Sequence, residues 1–497
     1  MCWRKKIQKC IPGGAVRIAL MVVSLACSSQ VSSQVLDCEI ELTTKAGVLP
    51  GEPVVLKEYY GKQPQALDTA YADLVGTVVF QCPSPNHPGR YQMELPNDFR
   101  IEFLYGGSPV RLTLRDMESV DGVTVHEGKE TQLLAEFERK MSELNAMSAA
   151  MVNELDKDLA PDVMEESREK IFEEVANEWK SWKHELRTEH PKSLMSFYLG
   201  LMKTVEPREA PPTEENPEEW TANDFRLRFW DGVDFDNPAL VRDPSLEMML
   251  EYYLGINAKK NPDLMAEEAI GMINRASYNS QVWKYLAEYF MFGFIQGRGA
   301  CMDKVTVDVF DHLDRQSQLS WLSASKIAEF RAYVDAKRRV CCGEIMEDLT
   351  LTDMGGQWKS LSDLDTDYRL LIVWDAGCDH CLEAMRTLNK LAPSFDAFDV
   401  GVYSLGYDLD NEEREKLLRE AGWRYATHVS DEPWMQKPAS RDSLVAAGLT
   451  TKGSIQFRDY LDIDVTPKLF LLDRENRILA KDFKVGRLFG LMKSLSN

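Results

Sequence analysis

A chain of 497 residues with 44% hydrophobic side chains has room for two to four domains with substantial cores. Its 80 acidic and 58 basic side chains give a formal charge of −22, which argues against nucleic acid as a partner and for a strongly acidic, soluble surface.

The first residues differ from the rest. Arg4, Lys5, Lys6 and Lys9 precede an apolar stretch, Ile18 to Ala26 (IALMVVSLA), too short to span a bilayer as a mature helix. A basic start, a short apolar run and small residues at Ser24 and Ala26 read as an export signal over residues 1–26. That segment holds five basic and no acidic groups, so its removal leaves −22 − 5 = −27. Cys27 follows the cut. Ser24-Leu25-Ala26 fits the ordinary small-x-small rule, whereas a cysteine directly after it fits a lipoprotein, although Ser24 and Leu25 make an imperfect lipobox. Both cleavage classes stay open, and with them lipidation of Cys27. The expected location is the periplasm or cell envelope, with the membrane engaged only through such an anchor. Disulfides persist there, so a CxxC pair reads as redox-active more readily than as half a zinc site.

From about 35 to 125, short alternating runs such as EPVVLKEYY, GTVVFQC, GRYQMEL and FRIEFLY are broken by turn residues. This pattern predicts a small antiparallel β-sandwich, with Cys38 and Cys82 on or beside strands and able to bridge. From about 128 to 345 the period becomes helical, in TQLLAEFERKMSELNAMSAAMVNEL, SREKIFEEVANEWKSWKHEL, LEMMLEYYLGI and QVWKYLAEYFMFGFI, predicting an all-α module. EPREAPPTEENPEEW is an exposed connection within it, and the isolated His184 and His190 suggest no catalysis. Cys301 and the vicinal Cys341-Cys342 leave one bridge and one odd thiol, with the pairing open.

The last segment, about 346 to 497, alternates strands (DYRLLIVWD, DVGVYSLGYD, WRYATHVSD, VTPKLFLLD, NRILAKDF) with helices (CLEAMRTLNKLAP, expected to stop at Pro393, NEEREKLLREAG and GRLFGLMKSL). This predicts an α/β layer with a partly parallel sheet. Cys378 and Cys381 lie between the first strand and the first helix. A helix N-terminus presents unpaired N–H groups and the positive end of the macrodipole, which favour a thiolate, the nucleophile of disulfide exchange. Cys378 at the tip is expected to attack and Cys381, further in, to resolve. Haem attachment would need histidine after the second cysteine, where Leu382 stands, and a four-cysteine zinc site would need a second pair that Cys341-Cys342 does not provide. His380 as a further ligand would pack too tightly on one turn, so neither metal nor cofactor is expected. A structural disulfide is the bland alternative. Downstream, Thr466-Pro467 enters a strand and is a candidate cis peptide.

These motifs resemble the thioredoxin fold, and in particular the exported TlpA/ResA-like thiol-disulfide oxidoreductases, over about 150 residues. VWDAGCDHC stands where that family has a strand ending in Trp and then CxxC, and VTPKLFLLDRENRILAK where it has the cis-proline strand, hairpin and final strand. The resemblance implies a central sheet flanked by helices, with an inserted helix-strand unit for which NEEREKLLREAG–WRYATHVSD is the candidate. The earlier segments resemble sandwich and helical modules, of no known activity, found ahead of such domains. Departures are Ile372 where many thioredoxins carry a buried acid, Asp375 and Gly377 near the pair, and Asp379-His380 between the cysteines. A cationic His380 would favour the reduced form, toward the roughly −120 mV of DsbA and away from the roughly −270 mV of thioredoxin, while Asp379 opposes it.

The sequence thus predicts a cell-envelope enzyme exchanging disulfides with cysteine-containing client proteins and reset by a membrane thiol-disulfide redox partner. Cys378 and Cys381 carry the reaction, Thr466-Pro467 docks the client backbone, and Trp374, Asp379 and His380 shape the site. The rival expectation is a redox-inactive envelope scaffold that uses the same domain for partner recognition.

Overall fold

A computed structural model describes residues 38–495 except 45–47, 85–86, 97, 118–121, 156–160, 203–225, 227, 258–260, 296–300, 376–377, 408–410 and 430–437. Alternation of apolar and polar residues produces the first eight strands: β1 (Glu39–Thr44), β2 (Pro53–Tyr60), β3 (Gln63–Tyr71), β4 (Thr77–Gln81), β5 (Gly89–Glu94), β6 (Arg100–Tyr105), β7 (Val110–Leu114) and β8 (Val123–Glu127). Along β7, Val110, Leu112 and Leu114 are buried while Arg111 is exposed, as a strand with one covered face requires. They form two four-stranded sheets, ordered β4-β1-β7-β8 and β3-β2-β5-β6. The antiparallel expectation fails at one place, because β1 and β7 pair in parallel. After β1 the chain leaves to build strands of the other sheet and re-enters beside β1 in the same direction. Cys38 and Cys82 are both disulfide-bonded.

Helices follow: α1 (Lys129–Glu154), α2 (Pro161–Glu189), α3 (Leu194–Leu201), α4 (Ser245–Asn257), α5 (Pro262–Ile273), α6 (Gln281–Phe292), α7 (Asp303–Arg315) and α8 (Ala324–Arg338). Ser193, Asn261, Ser280 and Ser323 each accept a hydrogen bond from a first-turn N–H, setting four of these starts. Trp230, Tyr253, Trp283 and Phe290 fill a core that begins at Leu104 of β6 and ends at Cys341, so sheet and helices share one apolar interior. The connection EPREAPPTEENPEEW lies outside the described residues.

The C-terminal elements are β9 (Thr350–Asp353), β10 (Trp358–Ser360), β11 (Tyr368–Trp374), α9 (Asp379–Ala397), β12 (Val400–Gly406), α10 (Asn411–Ala421), β13 (Thr427–Val429), α11 (Pro438–Ala446), α12 (Lys452–Ile455), α13 (Phe457–Tyr460), β14 (Lys468–Asp473), β15 (Ile478–Lys481) and α14 (Leu488–Leu495). Their seven strands form one sheet ordered β10-β9-β13-β12-β11-β14-β15. β11 is parallel to β12 and antiparallel to β14. Covered on both faces, β11 is almost wholly apolar. Leu370, Ile372 and Trp374 pack toward α9 and α14, and Leu371 and Val373 toward Phe457 and Leu461. The helix-strand unit between β12 and β14 includes α10 and β13, which adds in parallel to β12.

Pro393 does not stop α9, which continues to Ala397. The proline removes one ladder hydrogen bond. The residues around it, Leu388, Ala392 and Phe395, are buried on the sheet, and that packing carries the helix across it.

The junction before the seven-stranded sheet is heavily tied. Cys301 and Cys342 form a disulfide, leaving Cys341 as the buried free thiol of this group. Buried Lys481 of β15 pairs with Asp303 of α7. Gly343 donates to the Ile478 carbonyl at 2.8 Å, and Ile478 donates back to Glu344 at 2.9 Å.

Candidate functional site

The site is assembled where β11 ends, α9 begins and the chain enters β14. The apolar run of β11 drives Trp374 wholly into the core, where its indole N–H donates to Ser404 Oγ at 2.8 Å. Gly406 on β12 makes room for the ring, since a Cβ there would lie 2.8 Å from Trp374 Cζ2. Trp374 therefore supports the site from beneath, without an exposed face.

Cys378 is the N-cap of α9. Its Sγ accepts a hydrogen bond from the Cys381 backbone N–H at 3.2 Å, and its thiol donates to the Thr466 carbonyl at 3.3 Å. Helix-terminal N–H groups directed at a sulfur favour negative charge on it. Cys378 is half-buried, whereas Cys381, one helical turn on, has no exposed surface. Burial pushes the Cys381 thiol well up, and its hydrogen bond with Cys378 adds to this. The Asp375 backbone acts in the opposite sense. The two thiols thus differ in the way exchange chemistry needs, one accessible and one withdrawn.

The Thr466-Pro467 peptide is cis. Thr466 is the residue that joins the parts: its carbonyl faces Cys378, and its hydroxyl donates to Asp375 Oδ2 at 2.7 Å. Val465 before it is exposed. Asp379 and His380 are exposed on the first turn of α9. Ile372 lies in the same apolar cluster as Cys381. Cys27 lies outside the described residues. Among the described residues no three His, Cys, Asp or Glu side chains converge to hold a metal ion. Nor, among them, is any helix long and apolar enough to cross a membrane.

Structure thus brings Cys378, Cys381, Thr466 and Pro467 together above Trp374. Two participants were not singled out from sequence: Ser404, for which no local signal exists, and the Asp375 carboxylate, visible only as an unusual residue after the strand-ending Trp.

No known protein-family profile matches the chain, and no curated protein matches it. Among solved structures, it is similar to a thioredoxin-like protein from Bacteroides caccae, at 18% identity and a TM-score of 0.40, covering 55% of this chain and 92% of that one. It is also similar to the thioredoxin domain of a thiol-disulfide oxidoreductase from Bacteroides vulgatus, at 21% identity and a TM-score of 0.26, over 32% of this chain and 99% of that one. A thiol:disulfide interchange protein from Bacteroides sp. matches at 21% identity and a TM-score of 0.25, over 31% and 89%. Likeness at this level carries no weight for the chemistry, and the reading below rests on the site's own geometry.

Proposed function

We propose that the chain is an exported, cell-envelope thiol-disulfide oxidoreductase working through Cys378 and Cys381. The carrying observation is the asymmetry of the pair: Cys378 half-buried at the N-cap with an N–H directed at its sulfur, and Cys381 wholly buried three residues on. The Cys378 thiolate attacks one sulfur of a client disulfide, forming a mixed disulfide and expelling the other client thiolate, which takes up a proton. Cys381, deprotonated, then attacks Cys378 Sγ, closes the Cys378–Cys381 disulfide and releases the second client thiol. The reverse sequence oxidises a client dithiol. A membrane thiol-disulfide partner resets the pair.

The client backbone docks at Val465–Thr466, because a chain held there lies beside the attacking sulfur, 3.3 Å from the Thr466 carbonyl. Asp379 and His380 border the approach. Residues 35–125 as a sandwich module and 128–345 as a helical module recruit or present the client to the domain at 346–497. Export and the choice between a soluble form and lipidation at Cys27 rest on the N-terminal sequence. A redox-inactive scaffold is the opposing outcome of the test. Cys381→Ala should accumulate thiol-sensitive mixed disulfides through Cys378, seen by intact mass and on non-reducing gels. No adduct, with an inert wild-type pair, would leave the scaffold reading in place.

A further inference from the structure

The segment beside the attacking cysteine is short, and its neck is built from charges. It runs from Asp462 to Lys468, with the Thr466 carbonyl facing Cys378. At the neck the buried Lys468 donates from Nζ to the Asp462 carbonyl at 2.7 Å, so the two ends close on each other. Lys468 also pairs with Asp464 at 3.4 Å and with Asp482 at 3.7 Å. Asp462 stands at φ 52°, in the left-handed region, where the chain turns out of α13 toward the segment. A residue other than glycine keeps that conformation when its surroundings fix it.

What fixes Asp462 comes from the helical module. Its carboxylate pairs with Lys337 near the end of α8, whose buried side chain places Nζ 5.3 Å from the Tyr333 ring centroid. Two residues on, Arg339 Nη2 donates to the Asp459 carbonyl at 3.0 Å. Beside these contacts, Val340 and Cys342 share an apolar cluster with Phe457 and Leu461. The end of α8 thus grips the turn at 459–462 from both sides.

We propose that Lys337 of the helical module positions the client-docking segment of the redox site by holding Asp462. This rests on the reading above, in which the client backbone lies along Val465–Thr466. Lys337 acts through Asp462 and is a positioning residue. Without it, the carboxylates of Asp462, Asp464 and Asp482 are left with Lys468 as their shared partner. Like charges then press the neck open, and the left-handed turn loses the contact that fixes its side chain. The effect is selective. A small disulfide needs only the Cys378 sulfur, whereas a peptide must also lie along the segment, and ordering a loose segment subtracts from its binding.

The test uses the full mature chain, reduced, with two probes that release the same chromophore. One is 5,5′-dithiobis(2-nitrobenzoate), which offers no peptide backbone. The other is a short extended peptide carrying thionitrobenzoate on a central cysteine. Cys378 attacks the peptide sulfur, the new bond joins those two sulfurs, and thionitrobenzoate leaves with the electron pair of the broken bond. Stopped-flow absorbance with the chain in excess gives a limiting rate and a half-saturating concentration. Lys337→Met should raise the half-saturating concentration for the peptide by about tenfold, the lower end for a lost hydrogen bond to a charged group. Its reaction with the small probe should stay at the wild-type rate. Asp462→Asn should behave alike, and the double variant should be no weaker than either single one, because both act through one contact. Arg338→Met removes a neighbouring charge whose partners, Asp311 and Asp335, belong to the helical module, and should change neither reaction.

Wild-type half-saturation in Lys337→Met, or losses that add in the double variant, would overturn the proposal. If Lys337→Met were slowed with both probes, its fold would have failed and the exposed Arg339→Met would decide. Weaker peptide binding alone in that variant would support the grip, and unchanged binding would overturn it. Wild-type protein that reacts with the small probe but never saturates with the peptide would overturn docking at Val465–Thr466. Reaction with neither probe would overturn the disulfide-exchange reading itself.

Discussion

Ser404→Ala isolates what holds Trp374 under the cysteine pair. Ser404 and Trp374 are both wholly buried, and the 2.8 Å bond between them satisfies the indole N–H. Removing the hydroxyl leaves that N–H in the core with no acceptor, a cost of about 1–3 kcal/mol. Water is an improbable replacement, because Gly406 and the ring already fill the space: a single added Cβ there would meet Trp374 atoms at 2.8, 3.0 and 3.2 Å. We therefore expect a loss of about 2 kcal/mol for Ser404→Ala. In a Trp374→Phe background no N–H remains, so the same change should cost under about 0.5 kcal/mol, and the cycle should close with a coupling of about 1.5 kcal/mol. Native-state hydrogen exchange read by mass spectrometry on β11 and β12 peptides gives the opening free energy of this sheet alone, without requiring the chain to unfold in one step. Equal losses from Ser404→Ala in both backgrounds would refute the reasoning.

Other expectations follow from the same structure. His380→Pro should make the Cys378–Cys381 pair more reducing, measured by equilibration with glutathione and dithiothreitol buffers; an unchanged or raised potential removes the histidine from the account. The wild-type potential should lie between roughly −270 mV, as in thioredoxin, and roughly −120 mV, as in DsbA, and equilibration with neither buffer would count against activity. Cys301→Ser with Cys342→Ser opens a loop closed over 41 residues. This should cost about 4 kcal/mol on chain-entropy grounds, read as a lower denaturation midpoint of the full chain, and an unchanged midpoint would contradict it. Burial pushes the Cys341 thiol from 9.0 up to about 12. Folded protein therefore holds this proton more tightly than the unfolded chain, so the contribution is complete below about pH 9 and is lost as pH rises toward 12. The alkaline fall in melting temperature should be shallower in Cys341→Ala, and identical slopes would show the thiol titrating no differently on folding.

Legibility in the sequence followed how local the determining physics was. β11 announced itself because burial on both faces demands an unbroken apolar run, and Cys378 because a strand end followed by an amphipathic helix fixes an N-cap. The four-residue β9 and three-residue β10 were passed over, since TLTDMGGQWKS has too few residues to display a period. The four-residue helices α12 and α13 were missed for the same reason. Pro393 was given its usual meaning as a stop, and only the burial of Phe395 beyond it shows why the helix persists. The parallel pairing of β1 with β7 depends on where five intervening strands go. Pairing of Cys301 with Cys342 over Cys341 is likewise a three-dimensional choice between adjacent residues. The Asp375–Thr466 bond joins positions 91 residues apart, and nothing near either one signals the other.

The ties between residues 343–346 and β15 have a consequence for the protein's behaviour in a crowded compartment. A terminal strand offers a row of unmatched amides and carbonyls to any extended chain, the usual start of fibrillar stacking. Here Glu344 and Gly343 use those groups of Ile478, and Ile345 bridges to Arg477. The opposite margin, β10, is only three residues long and carries Lys359 at its centre. Among the described residues, the two margins of this seven-stranded sheet are thus already paired or short, which leaves an extended chain little unmatched backbone there to add to.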